Sequence, residues 1–103
     1  MPTIAQLERL FQADPADPFV LYGLAQAHAG QGNHAEAVAF YDRCLEADPA
    51  YHYAYYHKAL AQDAAGNRAA AMETLRAGLE KATNAGDAKA SGEIAELLDS
   101  MHP

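Results

Sequence analysis

Two short strings recur in this chain at one spacing. Ala13-Asp14-Pro15-Ala16 returns as Ala47-Asp48-Pro49-Ala50, and Gly32-Asn33 returns as Gly66-Asn67, each 34 residues on. At the same offset Tyr22 aligns with Tyr56, Ala25 with Ala59, Ala37 with Ala71 and Leu45 with Leu79. A repeat of this length restricts the fold more than any other feature, because each unit is one supersecondary element that hides its apolar face only by stacking on its neighbours. Two full units run over 18–51 and 52–85, flanked by a partial unit over 1–17 and a terminal segment over 86–103, within a single domain spanning 1–103.

The units are helical. Of 103 residues, 25 are Ala and 10 are Leu, whereas Val, Ile and Thr together supply seven, so helix formers abound and strand formers are scarce. All five prolines, Pro2, Pro15, Pro18, Pro49 and Pro103, fall where a helix starts or stops. Asp17-Pro18 reads as an N-cap followed by proline in the first turn, and the Gly30-Gln31-Gly32 stretch offers a left-handed residue to close the helix. Asn33 with Glu36 three residues on resembles a capping box. The punctuation predicts about six helices, near 3–13, 19–30, 34–47, 52–65, 68–82 and 87–101. In the second helix of each unit, Ala37, Tyr41, Cys44 and Leu45 share a face, matched by Ala71, Leu75, Gly78 and Leu79. The pairing of Cys44 with Gly78 implies close helix approach at that level. The first helices send Leu21, Leu24, Ala25 and His28, then Tyr55, Ala59 and Gln62, inward. Lys58 falls at a position that the pattern buries, within reach of Asp63 or Asp42.

Charge and composition exclude several functions. Seven basic against 14 acidic residues give a net charge of −7, the wrong sign for a nucleic-acid groove or an anionic membrane surface. Cys44 is the single cysteine, so no internal disulfide forms. Without a leader pattern or a long apolar run, a soluble, cytoplasmic protein is the expectation.

The residues Leu24-Ala25, Gly32-Asn33, Ala37, Tyr41 and Asp48-Pro49 stand at the spacing of the tetratricopeptide repeat family, which the chain resembles along nearly its entire length. In the second unit Ala59, Gly66-Asn67, Ala71 and Leu79 fit, while Lys58, Gln62 and Thr83 depart from the pattern. The resemblance implies an all-α fold, a right-handed superhelical solenoid of antiparallel helix hairpins, whose first helices line a concave surface. One subtype of the family grips a peptide's terminal carboxylate with Lys, Arg and Asn. Here Tyr22, Gln26 and His57 occupy the aligned places, so that ligand is not implied.

The densest chemical feature is the segment 51–58, with four of the six tyrosines. On a helix Tyr53, Tyr56, His57 and Leu60 share one side. Stacking the units predicts a shared aromatic ledge of Phe19, Tyr22, Tyr53 and Tyr56, with Gln26 and His57 as polar edges. Tyrosine suits partner binding, because it joins a rigid apolar body to a hydroxyl. The expected role is therefore a non-enzymatic protein-protein interaction module or adaptor for an apolar or mildly basic peptide or partner surface, bound by Phe19, Tyr22, Gln26, Tyr53, Tyr56, His57 and Leu60. The alternative is a homo-oligomer assembled through that ledge or through the stripe of Ala90, Ile94, Leu97, Leu98 and Met101 on the terminal helix, whose bland role is to cover the preceding pair. Catalytic residues, metal and cofactors are not expected: His52 and His57 are five apart rather than four, Cys44 is placed inward, and no glycine-rich phosphate loop occurs.

Overall fold

A computed structural model describes residues 2–103, which form six α-helices: α1 (Ile4–Ala13), α2 (Pro18–Gly30), α3 (His34–Ala47), α4 (His52–Ala64), α5 (Arg68–Asn84) and α6 (Ala88–Ser100). There is no strand among the described residues. α5 runs two residues past its expected end, since Thr83 stands where a proline would stop it. The turns after α2, α4 and α5 each close on a glycine in the left-handed region, Gly32 at φ 79°, Gly66 at φ 87° and Gly86 at φ 74°.

Capping differs from the sequence expectation at one helix. Asn33 makes no side-chain cap bond to α3, and Glu36 instead turns toward His28, with Oε2 3.4 Å from Nδ1. The capping box lies at α1, where Thr3 Oγ1 accepts from the Gln6 amide at 3.2 Å and the Thr3 amide donates to Gln6 Oε1 at 2.8 Å. Backbone angle is not the reason, since Asn67 at ψ 69° accepts from the Ala70 amide at 3.2 Å whereas Asn33 at ψ 71° caps nothing; the Asn33 side chain instead turns to Gln31, with Nδ2 donating to Oε1 at 3.4 Å.

Each unit is an antiparallel hairpin. In the first, Cys44 Sγ, late in α3, donates to the Pro18 carbonyl at the start of α2 at 3.4 Å, while His28 at the end of α2 meets Glu36 at the start of α3. In the second, Gly78 of α5 lies against Tyr55 of α4, and Thr74 Oγ1 donates to Gln62 Oε1 at 2.6 Å. Two cores result. One gathers Leu21, Ala25, Ala37, Tyr41, Cys44, Ala54 and Ala61; the other Ala59, Ala71, Leu75, Ala82, Ala90, Ile94 and Met101. A smaller cluster of Leu7, Val20 and Leu24 joins α1 to α2. The α6 stripe is thus spent inside the protein's own core. Lys58 reaches Asp42 at 2.6 Å, and Asp63 is taken by Arg68 at 2.9 Å.

Candidate functional site

α2 and α4 run side by side in the same direction: Tyr22 near the start of α2 meets Tyr51 and His57, and Ala29 near its end shares a hollow with Leu60 and Ala64. Along this seam the aromatic side chains form a continuous row. Tyr51 and Tyr22 have centroids 4.8 Å apart, Tyr22 and His57 meet edge to face at 5.7 Å, and His57 and Tyr56 at 5.2 Å. Behind the row stands the buried Tyr41 ring, 5.9 Å from Tyr22 and 6.4 Å from His57. Gln26 Nε2 donates to Tyr22 Oη at 3.2 Å, one turn along α2. The structure therefore brings Tyr22, Gln26, His57 and Tyr56 together. Phe19 lies on one flank, 59% exposed, and Leu60, 39% exposed, on the other. Tyr53 is set apart, half-buried toward α6, where Glu93 neighbours its phenol.

Two clefts open beside the row. The first, about 200 Å³, is lined by Phe19, Tyr22, Gly23, Gln26 and Ala27 of α2 with Leu7, Pro2 and Tyr51. The second, about 240 Å³, lies between His34, Tyr41, His57 and Leu60, over Ala29, Ala61 and Ala64. Tyr51 was outside the expected set. Its place as the last residue of a repeat, directly before the next unit's first helix, is the signal that could have found it.

Phenols are uncharged at neutral pH to begin with, and burial takes Tyr22 and Tyr51 of this row further from ionisation. It pushes the Tyr22 phenol up to about 12, with Tyr51 adding to the shift, and raises Tyr41 and Tyr51 as well. The same cause lowers His57, since an imidazolium among phenol rings loses hydration. At neutral pH the face presents uncharged rings and hydroxyls on a protein of net charge −7. Such a surface can stack, accept apolar side chains and attract cations to ring faces. Cys44 is buried with its thiol pushed up to about 11, and the Ser91 and Ser100 hydroxyls donate to helix carbonyls. No group of three or more His, Cys, Asp or Glu able to hold a metal occurs among the described residues, and none of their helices is long and apolar enough to cross a membrane.

No curated protein matches the chain significantly. Among solved structures, a tetratricopeptide repeat domain protein from Salinibacter ruber is 31% identical, covering 86% of this chain and 90% of that one, with a TM-score of 0.79. The TPR2B domain of yeast Sti1, solved as a complex with pHsp70, is 28% identical over 95% of this chain and 78% of that one, with a TM-score of 0.87. A Bordetella parapertussis protein shares the fold, with a TM-score of 0.84 at 21% identity, covering 98% of this chain and 88% of that one. The family model for the tetratricopeptide repeat matches residues 3–62 and 28–98. Six helices paired by a 34-residue period, together with that match, place the chain in the tetratricopeptide repeat family.

Proposed function

We propose that the α2–α4 face is a docking groove and that the protein acts as a non-enzymatic adaptor, taking an apolar or mildly basic peptide or partner segment. Family membership supports an interaction module, and the Sti1 domain's complex with pHsp70 is one case of the fold receiving a protein ligand. The observation that carries the reading is the neutral ring row between exposed Phe19 and Leu60, with a cleft at each end. Its partner gains from burying apolar side chains in the clefts, and a Lys or Arg gains from the rings and from the surrounding negative potential. The buried thiol and the hydroxyls committed to carbonyls support a role without a nucleophile.

A peptide array graded from acidic to basic and from polar to aromatic tests the reading. Retention is expected to rise with aromatic or aliphatic content and with positive charge. Phe19→Ala, at an exposed position that folding does not need, should weaken the best peptide by about tenfold, the loss of one interface anchor. Preference for acidic peptides, or full affinity in Phe19→Ala, removes the groove as the docking site.

A further inference from the structure

His57 stands within the ring row, edge to face with Tyr22 of α2 and Tyr56 of α4 and stacked on Tyr41 of α3, and it lines the second cleft together with His34. Three phenol rings surround it, and no acid does. Among the described residues the histidines that meet a carboxylate are His28, at Glu36, and His52, at Asp87. Asp42, next in sequence to Tyr41, is held by Lys58 at 2.6 Å. α5 and α6 meet α4 at other residues: Tyr55 packs on Gly78, Gln62 accepts from Thr74, and His52 pairs with Asp87. The titratable groups that face His57 are therefore Tyr22, Tyr41, Tyr56 and His34, with Tyr51 beyond Tyr22. None of them offers a negative charge at neutral pH.

A proton taken up by His57 is consequently an uncompensated cation in the middle of the face. It repels a Lys or Arg of the partner across a site where partial burial strengthens the repulsion. It also turns its own charge on the ring faces of Tyr22, Tyr41 and Tyr56, the same faces that otherwise attract the partner's cation. We propose that His57 makes the groove an acid-released site: its uncharged imidazole admits a cationic side chain of the partner at neutral pH, and uptake of a proton on His57 expels it. This names the regulation of the docking groove and rests on that reading. By linkage, a complex that excludes the proton lowers the pH at which His57 titrates, so affinity is complete above the titration of the free protein and falls as the pH drops through it. Burial already holds His57 below the ordinary histidine value of about 6.5, which puts the loss in mildly acid solution.

The probe is a labelled synthetic peptide of leucine, phenylalanine and lysine, blocked at both ends and free of acids and histidine, together with a twin carrying glutamine for lysine. Both are titrated by fluorescence anisotropy at about pH 7.5 and about pH 5, on either side of the ordinary histidine value. The wild type should bind the lysine peptide about threefold to tenfold more weakly at the lower pH, and the twin should lose less. His57→Phe keeps a ring in the row and takes up no proton, so whatever its affinity at the higher pH, the ratio between the two should fall to about one. His34→Gln should keep the wild-type ratio. In the wild type, the His57 ring followed by proton NMR should titrate at lower pH with the lysine peptide bound than without it. An unchanged or raised titration, an equal loss by the twin, or a ratio kept in His57→Phe and abolished in His34→Gln overturns the proposal. Binding at the higher pH that is unaltered at the lower one removes this inference and leaves the groove standing. Failure of both peptides to saturate the wild type at the higher pH removes the groove and its acid release together.

Discussion

At Gly78 a Cβ would stand 2.5 Å from the Cβ of Tyr55 and 2.8 Å from its Cγ, atoms tied closely to the α4 backbone. The methyl of alanine improves helix propensity by about 1 kcal/mol, yet the contact cannot be relieved by rotating a flexible tip, so the two helices must separate. Overpacking wins. Gly78→Ala is expected to lose about 1–3 kcal/mol, and Gly78→Leu at least as much, read as a drop in Tm by circular dichroism. Gly92, in α6, has nothing within 4 Å of its would-be Cβ. There Gly92→Ala should gain about 0.5–1 kcal/mol. The opposed signs test whether close approach, and not helix propensity, selects glycine at position 78. The close approach was legible in the sequence because Gly78 aligned with Cys44. The cap at Asn33 was misread because the spacing Asn-x-x-Glu does not report where Glu36 turns, and His28 offered it another neighbour.

Asp87 ties two elements together. Its Oδ1 accepts from the Ala90 amide at 3.1 Å as the N-cap of α6, and its Oδ2 lies 2.8 Å from Nδ1 of His52, a side chain only 7% exposed at the start of α4. The His52 hydrogen bond first, and the Ala90 amide next, hold the Asp87 carboxyl below the usual carboxylate range. The folded protein therefore binds that proton less tightly than the unfolded chain does. Its contribution is complete above about pH 4, the ordinary Asp value, and is lost as the pH falls through the lower folded value. Asp87→Asn keeps a capping oxygen but removes this acid dependence, and Asp87→Ala removes cap and partner together. Hydrogen exchange should show α6 losing the most protection in Asp87→Ala, with the slowest amides of α2 and α3 losing only the change in global stability; equal loss throughout would mean that α6 is not separately held. Helices, period and hairpin pairing were readable because periodicity and punctuation are local. The His52 to Asp87 tie was not, for it joins residues 35 apart that no pattern pairs. The ring row was partly readable: spacing placed Tyr22, His57 and Tyr56 on facing helices, but the inclusion of Tyr51 and the turning of Tyr53 toward Glu93 depend on how α6 lies against α4.

Across the whole molecule, α4 belongs to both cores, giving Ala54 and Ala61 to one and Ala59 to the other. The radius of gyration, 13.4 Å, is close to the roughly 13 Å of a compact chain of this size, so the stack is short, with extents of 40 × 30 × 21 Å. In a long solenoid, stability is a sum of units and neighbour contacts, and an end can unfold while the rest holds. Here the two cores share one helix, α4, and losing either core strips one face of it. The Lys58 to Asp42 ion pair adds a further link from α4 to α3. Unfolding should accordingly be one cooperative transition, and damage to the second core should be felt in the first. Native-state hydrogen exchange of Gly78→Ala decides this: the slowest amides of α3, around Tyr41 and Cys44, should lose as much protection as those of α5 around Leu75, each by the full equilibrium change. If α3 keeps its protection while α5 loses it, the units fold independently and α4 does not couple them. In that event the groove, built on both α2 and α4, would open with the weaker unit, and its affinity would fall with temperature before the first core melts.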